Sequence, residues 1–320
     1  INLYSASFGA GYFYTQLKHM GIGVAMFVVC AWLVPPRFLN ANAYWIYGFI
    51  CSLLLAVLIL GKIGGGSQRW LSIGPISGQP SEFAKIAVAI IVAKFFYANR
   101  LQTAYRLRDL WPVVAAVGFV FVLIFPQPDF GTAGLCALIA VAQFMFIRID
   151  LRSIGLVVAA GAASGFIGWT FLLKEYQKMR VLNFLNPDLD PSGTGYNALQ
   201  SLVAIGSGSL RGKGFMEGTQ TQLQFLPTRH TDFVFSVFAE EHGFWGCVVL
   251  FVLFSILAYL ALEIARSSKD TFSGLLAVGL SAFIFVEFTI NVAMVLGMFP
   301  VVGLPLPLFS YGGSSLLTVC

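Results

Sequence analysis

Runs of roughly 20 mostly apolar residues, the length that crosses a bilayer as a helix, recur along this chain. After an apolar fragment at 1–8 they fall at 16–35, 43–61, 80–98, 111–126, 131–147, 153–173, 233–264 and 272–298, and a last one begins near 312. The pattern predicts an all-α, polytopic integral membrane protein of about ten transmembrane helices. Both ends lie inside apolar stretches, so the first and last spans are expected to be truncated. One membrane domain is expected over 1–320, with 174–232 as a large extracytoplasmic loop between the seventh and eighth helices.

Composition strengthens that picture. Of 320 residues, 58% are hydrophobic and 10% are charged, against roughly 25% charged in soluble domains. The net charge of +5 comes without a basic stripe interleaved with aromatics, which speaks against a nucleic-acid partner. Five cysteines lie in apolar segments and read as small core residues. His19, His230 and His242 show no zinc-ligand spacing with them.

Lys and Arg in short connections set orientation. Arg37, then Arg100, Arg106 and Arg108, then Arg148 and Arg152, then Arg266 and Lys269 fall on one side of an alternating count, which is therefore cytoplasmic. The unusual polar sequence gathers on the opposite, outer side. Gly64–Glu82, rich in Gly, Ser and Pro, reads as a structured loop leading into a helix with Pro80 at its start. Glu82 and Lys85 follow at i, i+3 on one face, either as a structural ion pair or as a functional acid and base. Lys94, near the cytoplasmic end of that helix, reads as snorkelling. Asp129 sits in the tight turn PQPDFGT, where turn chemistry is the plain explanation and pairing with Lys85 the sharper one.

Residues 205–215, IGSGSLRGKGF, fit no nucleotide-loop pattern. Their exposed amides, with Arg211 and Lys213, read as a cradle for an anionic headgroup or else as a flexible basic loop. The stretch 218–244 ends its polar approach at Arg229, His230, Thr231 and Asp232 and runs directly into an apolar helix bearing Glu240, Glu241 and His242. Asp232 reads as a helix N-cap, a role compatible with facing a cavity. Glu287 and Asn291, at i, i+4, suit polar contacts between helices. Residues 300–315 are interrupted by Pro and Gly and read as a re-entrant or surface-lying segment.

Four of these pieces resemble the SEDS family (shape, elongation, division and sporulation). They are QPSEFAK at 79–85, QPDFGT at 127–132, RHTDFVFSVFAEEHGF at 229–244 and GLPLPLFSYGGSS at 303–315. They stand in the family's order and spacing, and the likeness covers the whole chain. GTQTQLQFLPTRHTDF and GLPLP are similar to the elongation, rod-shape members. Division members more typically carry Thr where Pro305 stands. His242 is a departure, since Leu is usual after the acidic pair.

The resemblance implies a peptidoglycan glycosyltransferase in the bacterial cytoplasmic membrane, acting on the outer face during cell elongation. Its substrate would be lipid II, a disaccharide-pentapeptide on undecaprenyl pyrophosphate. The acceptor 4-hydroxyl would attack the anomeric carbon with inversion. Asp232 falls on the essential Asp and is assigned as general base, and Glu82, Lys85 and Asp129 fall on other sensitive positions. Arg69, Arg211, Lys213, Arg229, His230, Ser314 and Ser315 are the candidate substrate-binding residues. A divalent cation, Mg²⁺ or Mn²⁺, is implied without a ligand set. A class B penicillin-binding protein is implied as partner. A lipid II flippase and a non-catalytic scaffold for a transpeptidase are the rival classes. The one-sided gathering of polar residues argues against a carrier, which needs a path to the other face.

Overall fold

The computed structural model describes residues 2–7, 10–64, 67–73, 76–99, 104–150, 152–153, 155–157, 159, 161, 168–172, 175–185, 194–223, 225 and 229–320. Its helices are α1 (Asn2–Ser7), α2 (Ala10–Leu33), α3 (Pro36–Leu60), α4 (Pro80–Ala98), α5 (Leu107–Ile124), α6 (Phe130–Met145), α7 (Glu175–Leu185), α8 (Thr194–Ser207), α9 (Thr219–Gln222), α10 (Val234–Ser267), α11 (Thr271–Val295) and α12 (Gly313–Val319). Five of them, α2, α3, α5, α10 and α11, are long and apolar enough to cross a membrane. The expected count of ten is not reached among the described residues. About half of the span expected at 153–173 lies outside them, its described part including a π-helical turn at Gly168–Leu172, and α6 is short at 16 residues. Large apolar side chains such as Trp32, Trp45 and Phe49 are exposed along α2 and α3, as a lipid-facing surface requires.

The loop expected at 64–82 holds a small sheet, which departs from a wholly helical fold. Strands β1 (Lys62–Gly64), β2 (Ser67–Ile73) and β3 (Ile76–Gly78) pair antiparallel in the order β1-β2-β3. Main-chain pairing satisfies donors and acceptors that a loose Gly-rich loop would leave to solvent.

The chain divides into two compact units. One comprises residues 24–164 and 258–286 and is built on α4, which is buried on nearly every side. Its small residues Ala84, Ala87, Ala89 and Ala93 let neighbouring backbones approach closely, the packing logic of membrane helices. A Cβ on Gly279 would lie 2.8 Å from that of Ala89, which shows how tight the approach is. Gln143 Nε2 ties three helices together by donating to Ala89 O and Leu275 O, each at 2.9 Å. Lys94 donates to Asn40 Oδ1 at 2.9 Å, so its charge finds a polar partner within the unit.

The other unit comprises residues 1–23, 165–257 and 287–319. Here α10 breaks at Gly243, whose φ of 63° and ψ of −163° are far from helical. A break inside an apolar helix strands backbone donors and acceptors that lipid cannot satisfy. The Gly-rich stretch supplies them. The amides of Lys213 and Gly214 donate to Glu240 O and Glu241 O at 3.0 and 3.1 Å. The amides of Phe244 and Trp245 donate to Ser209 O and Leu210 O at 2.9 and 3.3 Å. Glycine is required for the approach: a Cβ on Gly208 would sit 2.2 Å from Ala239 O, and one on Gly212, at φ +78°, 2.1 Å from Glu241 O.

Gly212→Ala is therefore expected to destabilise the protein by roughly 2–4 kcal/mol, from left-handed strain and overpacking together. Gly206→Ala, where an added Cβ meets nothing within 4 Å, is expected to be neutral or slightly stabilising. Thermal unfolding in detergent, comparing the two variants with wild type, checks this.

Candidate active site

The residues singled out from sequence fall into two groups, one within each unit. In the α4 unit, Asp129 occupies the N-cap position of α6, and its side chain turns toward α4. Oδ2 accepts from Gln79 Nε2 at 2.9 Å and Ser81 Oγ at 2.8 Å, and Oδ1 accepts from Thr132 Oγ1 at 3.0 Å. Arg69 on β2 stands 3.8 Å from Oδ1 and also donates to the carbonyls of Gln127 and Pro128. The sheet thus delivers a cation to the turn that carries Asp129. With both oxygens already accepting, this carboxylate serves as an anchor better than as a proton acceptor.

Glu82 and Lys85 form a buried ion pair at 2.8 Å, one of the two readings their spacing left open, with Lys85 wholly enclosed. The ammonium also lies 4.4 Å from the Phe283 ring centroid, a cation–π contact that partly offsets its desolvation. A buried pair is costly to form, and breaking it by removing one partner typically costs about 3–5 kcal/mol. Lys85 is thus held by its own helix and by Phe283, in the same unit as Asp129.

In the α10 unit, the turn Arg229–Phe233 enters α10 at Val234. The cap position is Phe233, so Asp232 stands one residue outside the cap expected of it. That leaves the Asp232 side chain half-exposed, whereas Glu82, Asp129, Glu240 and Glu241 are buried. Its Oδ2 lies 3.6 Å, an ordinary contact distance, from where a Cβ on Gly303 would be, and Gly303 itself sits at φ +73°, where an L side chain is strained. Arg229 donates to Ala6 O and Thr221 O, both at 2.7 Å, and so braces the main chain. His230 stacks on Tyr12 at 5.0 Å. Burial first, and the Arg229 charge second, push the His230 pKa below its ordinary 6.5.

Lys213 and Glu240 pair at 2.8 Å. Glu240 also accepts from the Gln220 and Thr221 amides at 2.9 and 3.1 Å and from Thr221 Oγ1 at 2.8 Å. It thereby caps α9 from another helix, where a carboxylate suits the positive end of the peptide dipoles. Of the two readings of 205–215, an amide cradle or a flexible basic loop, neither describes it: the amides of Gly208, Ser209, Gly212, Lys213 and Gly214 are taken up by the broken α10 and by the loop itself, and the Lys213 side chain by Glu240. Arg211 remains exposed and available to an anion. Ser314 and Ser315 lie on α12, the former buried and the latter half-buried.

Sequence reading passed over Gln79, Ser81, Thr132, Gly303 and Ser310 as individuals. All five lie inside motifs that it did single out. Among the described residues no three His, Cys, Asp or Glu side chains converge on a metal site. Glu82 is occupied by Lys85, Asp129 by neutral donors and Glu240 by Lys213 and backbone amides, so these three buried carboxylates form a poor donor set for Mg²⁺ or Mn²⁺. These three side chains therefore do not fit the role of a resident divalent-cation site.

With a lowered pKa, folded His230 stays neutral where the unfolded histidine protonates. Its contribution to stability is complete above about pH 6.5 and is lost as pH falls through the lowered value. Thermal unfolding at pH 5.5 and 7.5 is expected to show a smaller difference for His230→Phe than for wild type. An unchanged difference would remove His230 from that account.

The chain matches the family model described as cell cycle protein, the FtsW, RodA and SpoVE group, over residues 3–320. It is 42% identical over 304 residues to the peptidoglycan glycosyltransferase MrdB of Escherichia coli K12, covering 95% of this chain and 81% of that protein. It is 34% identical over 346 residues to stage V sporulation protein E of Bacillus subtilis strain 168, covering 99% and 88%. Among solved structures, it is similar to a chain from a peptidoglycan synthase complex that coordinates polymerization and crosslinking (TM-score 0.83, 31% identity, 99% of this chain and 88% of that one). It is also similar to the rod shape determining protein RodA of Thermus thermophilus (TM-score 0.73, 29% identity, 99% and 87%). These likenesses and the apolar helices make it a multi-pass protein of the bacterial cytoplasmic membrane. The chain belongs to the SEDS family, whose members include RodA, FtsW and SpoVE.

Proposed function

We propose that this chain is a peptidoglycan glycosyltransferase that polymerises lipid II into glycan strands on the outer face of the membrane. The observation that carries this is the half-exposed Asp232 carboxylate, on a braced turn at the mouth of an apolar helix. In the reaction, the acceptor 4-hydroxyl oxygen bonds to the donor anomeric carbon from the face opposite the diphosphate. The C1–oxygen bond breaks, and the lipid diphosphate leaves with the electron pair. Asp232 takes the hydroxyl proton, a general-base role that needs an accessible, firmly held acceptor. The relatives' printed names support the reaction class.

Arg211 is the better-placed cation for the diphosphate headgroup, since Lys213 is neutralised by Glu240. Glu82, Lys85 and Asp129 act together as a fixed charged group whose members hold the turn before α6 and the start of α4. Any divalent cation travels with the substrate diphosphate, consistent with the reluctance of Mg²⁺ to shed its water for an all-protein cage. The likeness to a chain of a complex coordinating polymerization and crosslinking supports a transpeptidase partner, a class B penicillin-binding protein.

Polymerisation of labelled lipid II by purified protein, with the partner and Mg²⁺ or Mn²⁺ present, tests the reading. Wild type is expected to make long strands, and Asp232→Asn to lose roughly a hundredfold or more, the upper range for a general base. Equal strands from both would remove Asp232 as the base. No strands from either would favour transport.

A further inference from the structure

The turn that carries Asp232 is held in an unusual way. Its three consecutive carbonyls each accept a hydrogen bond. His230 O accepts from the Tyr311 amide at 2.8 Å, Thr231 O from Ser310 Oγ at 2.6 Å, and Asp232 O from Asn291 Nδ2 at 2.9 Å. Both side chains also grip the Pro- and Gly-interrupted segment. Asn291 Nδ2 donates to Leu304 O at 2.7 Å, and Ser310 Oγ accepts from the Leu306 amide at 2.7 Å. The donors therefore come from α11 and from the segment that also places Gly303 beside the Asp232 carboxylate.

Asn291 is completely buried, and among the described residues its Oδ1 has no hydrogen-bond partner. An unpartnered buried carbonyl is destabilising, so an apolar residue would suit packing alone better. The amide's value lies in its two hydrogens, which fix two carbonyls in one geometry. Successive peptide planes held at 230, 231 and 232 leave the Asp232 Cα–Cβ bond a single direction, so the carboxylate can vary only by side-chain rotation.

We propose that Asn291 and Ser310 are positioning residues that hold Asp232 at its working angle through its main chain, without touching substrate. This rests on the reading of Asp232 as the base. A displacement of about 1 Å at a reacting group costs on the order of a hundredfold in rate. Loss of either clamp should therefore lower kcat and leave KM nearly unchanged, because the substrate contacts stay.

The test measures kcat and KM for lipid II polymerisation by the purified protein with its partner, for Asn291→Leu, Ser310→Ala, Ser310→Thr and Asp232→Asn, with thermal unfolding of each. Asn291→Leu is expected to lose about 30- to 100-fold in kcat, and Ser310→Ala about 5- to 10-fold, with KM within about twofold. Ser310→Thr, which restores the hydroxyl, is expected to recover most of the loss. Should Asn291→Leu fail to fold, the Ser310 pair decides. Wild-type kcat in folded Ser310→Ala, a rise in KM alone, or equal loss in the Ala and Thr variants would overturn the proposal. Full activity of Asp232→Asn would sink the assignment of the base itself. Inactive Asp232→Asn beside fully active clamp variants would sink only the clamp.

Discussion

Every departure from regular helix in an apolar surrounding leaves main-chain groups that only protein can satisfy, and this constraint shapes the unit that carries Asp232. The break at Gly243 frees the carbonyls of Glu240 and Glu241 and the amides of Phe244 and Trp245, and residues 209–214 answer all four. The turn before α10 exposes three carbonyls, and Asn291, Ser310 and Tyr311 answer those. The segment 300–312, with no helix of its own before α12, is fastened by the same bonds. Irregular backbone is what allows a carboxylate to stand at a helix mouth, and this bonding is what makes it rigid.

The α4 unit solves a different problem, that of charge. Glu82 and Lys85 compensate one another within one turn of helix, and Asp129 is compensated by three neutral donors with Arg69 close by. Low dielectric makes such groups costly alone and strongly directional when paired. The small sheet is part of this arrangement, because β2 carries Arg69 to the turn. Asp232, half-exposed on its clamped turn, differs from the buried carboxylates of both units, Glu82 and Asp129 around α4 and Glu240 and Glu241 on α10.

Much of this was legible along the chain. Run length and composition gave the membrane class and the positions of α4 to α6, α10 and α11 to within about four residues, because a bilayer imposes its thickness on the sequence, while α2 and α3 begin six and seven residues earlier than expected. Pro80 marked the start of α4, and i, i+3 spacing placed Glu82 and Lys85 on one face, where an ion pair was one of two readings, because both are consequences of local helix geometry. The four motifs carried the family likeness.

What the sequence could not settle were roles that depend on partners distant along the chain. Residues 205–215 read equally well as an anion cradle, and only the approach of their glycines to 239–243 shows that they mend a broken helix. Lys213 read as a candidate headgroup contact, whereas in the fold it pairs with Glu240, 27 positions away. Asn291 read as general helix glue, and its specific task emerges only from the carbonyls of Asp232 and Leu304 meeting at its amide. Helix length and local pairing are written in consecutive residues. Which buried donor meets which acceptor is decided by packing, because hydrogen bonds act over about 3 Å in space irrespective of separation in sequence.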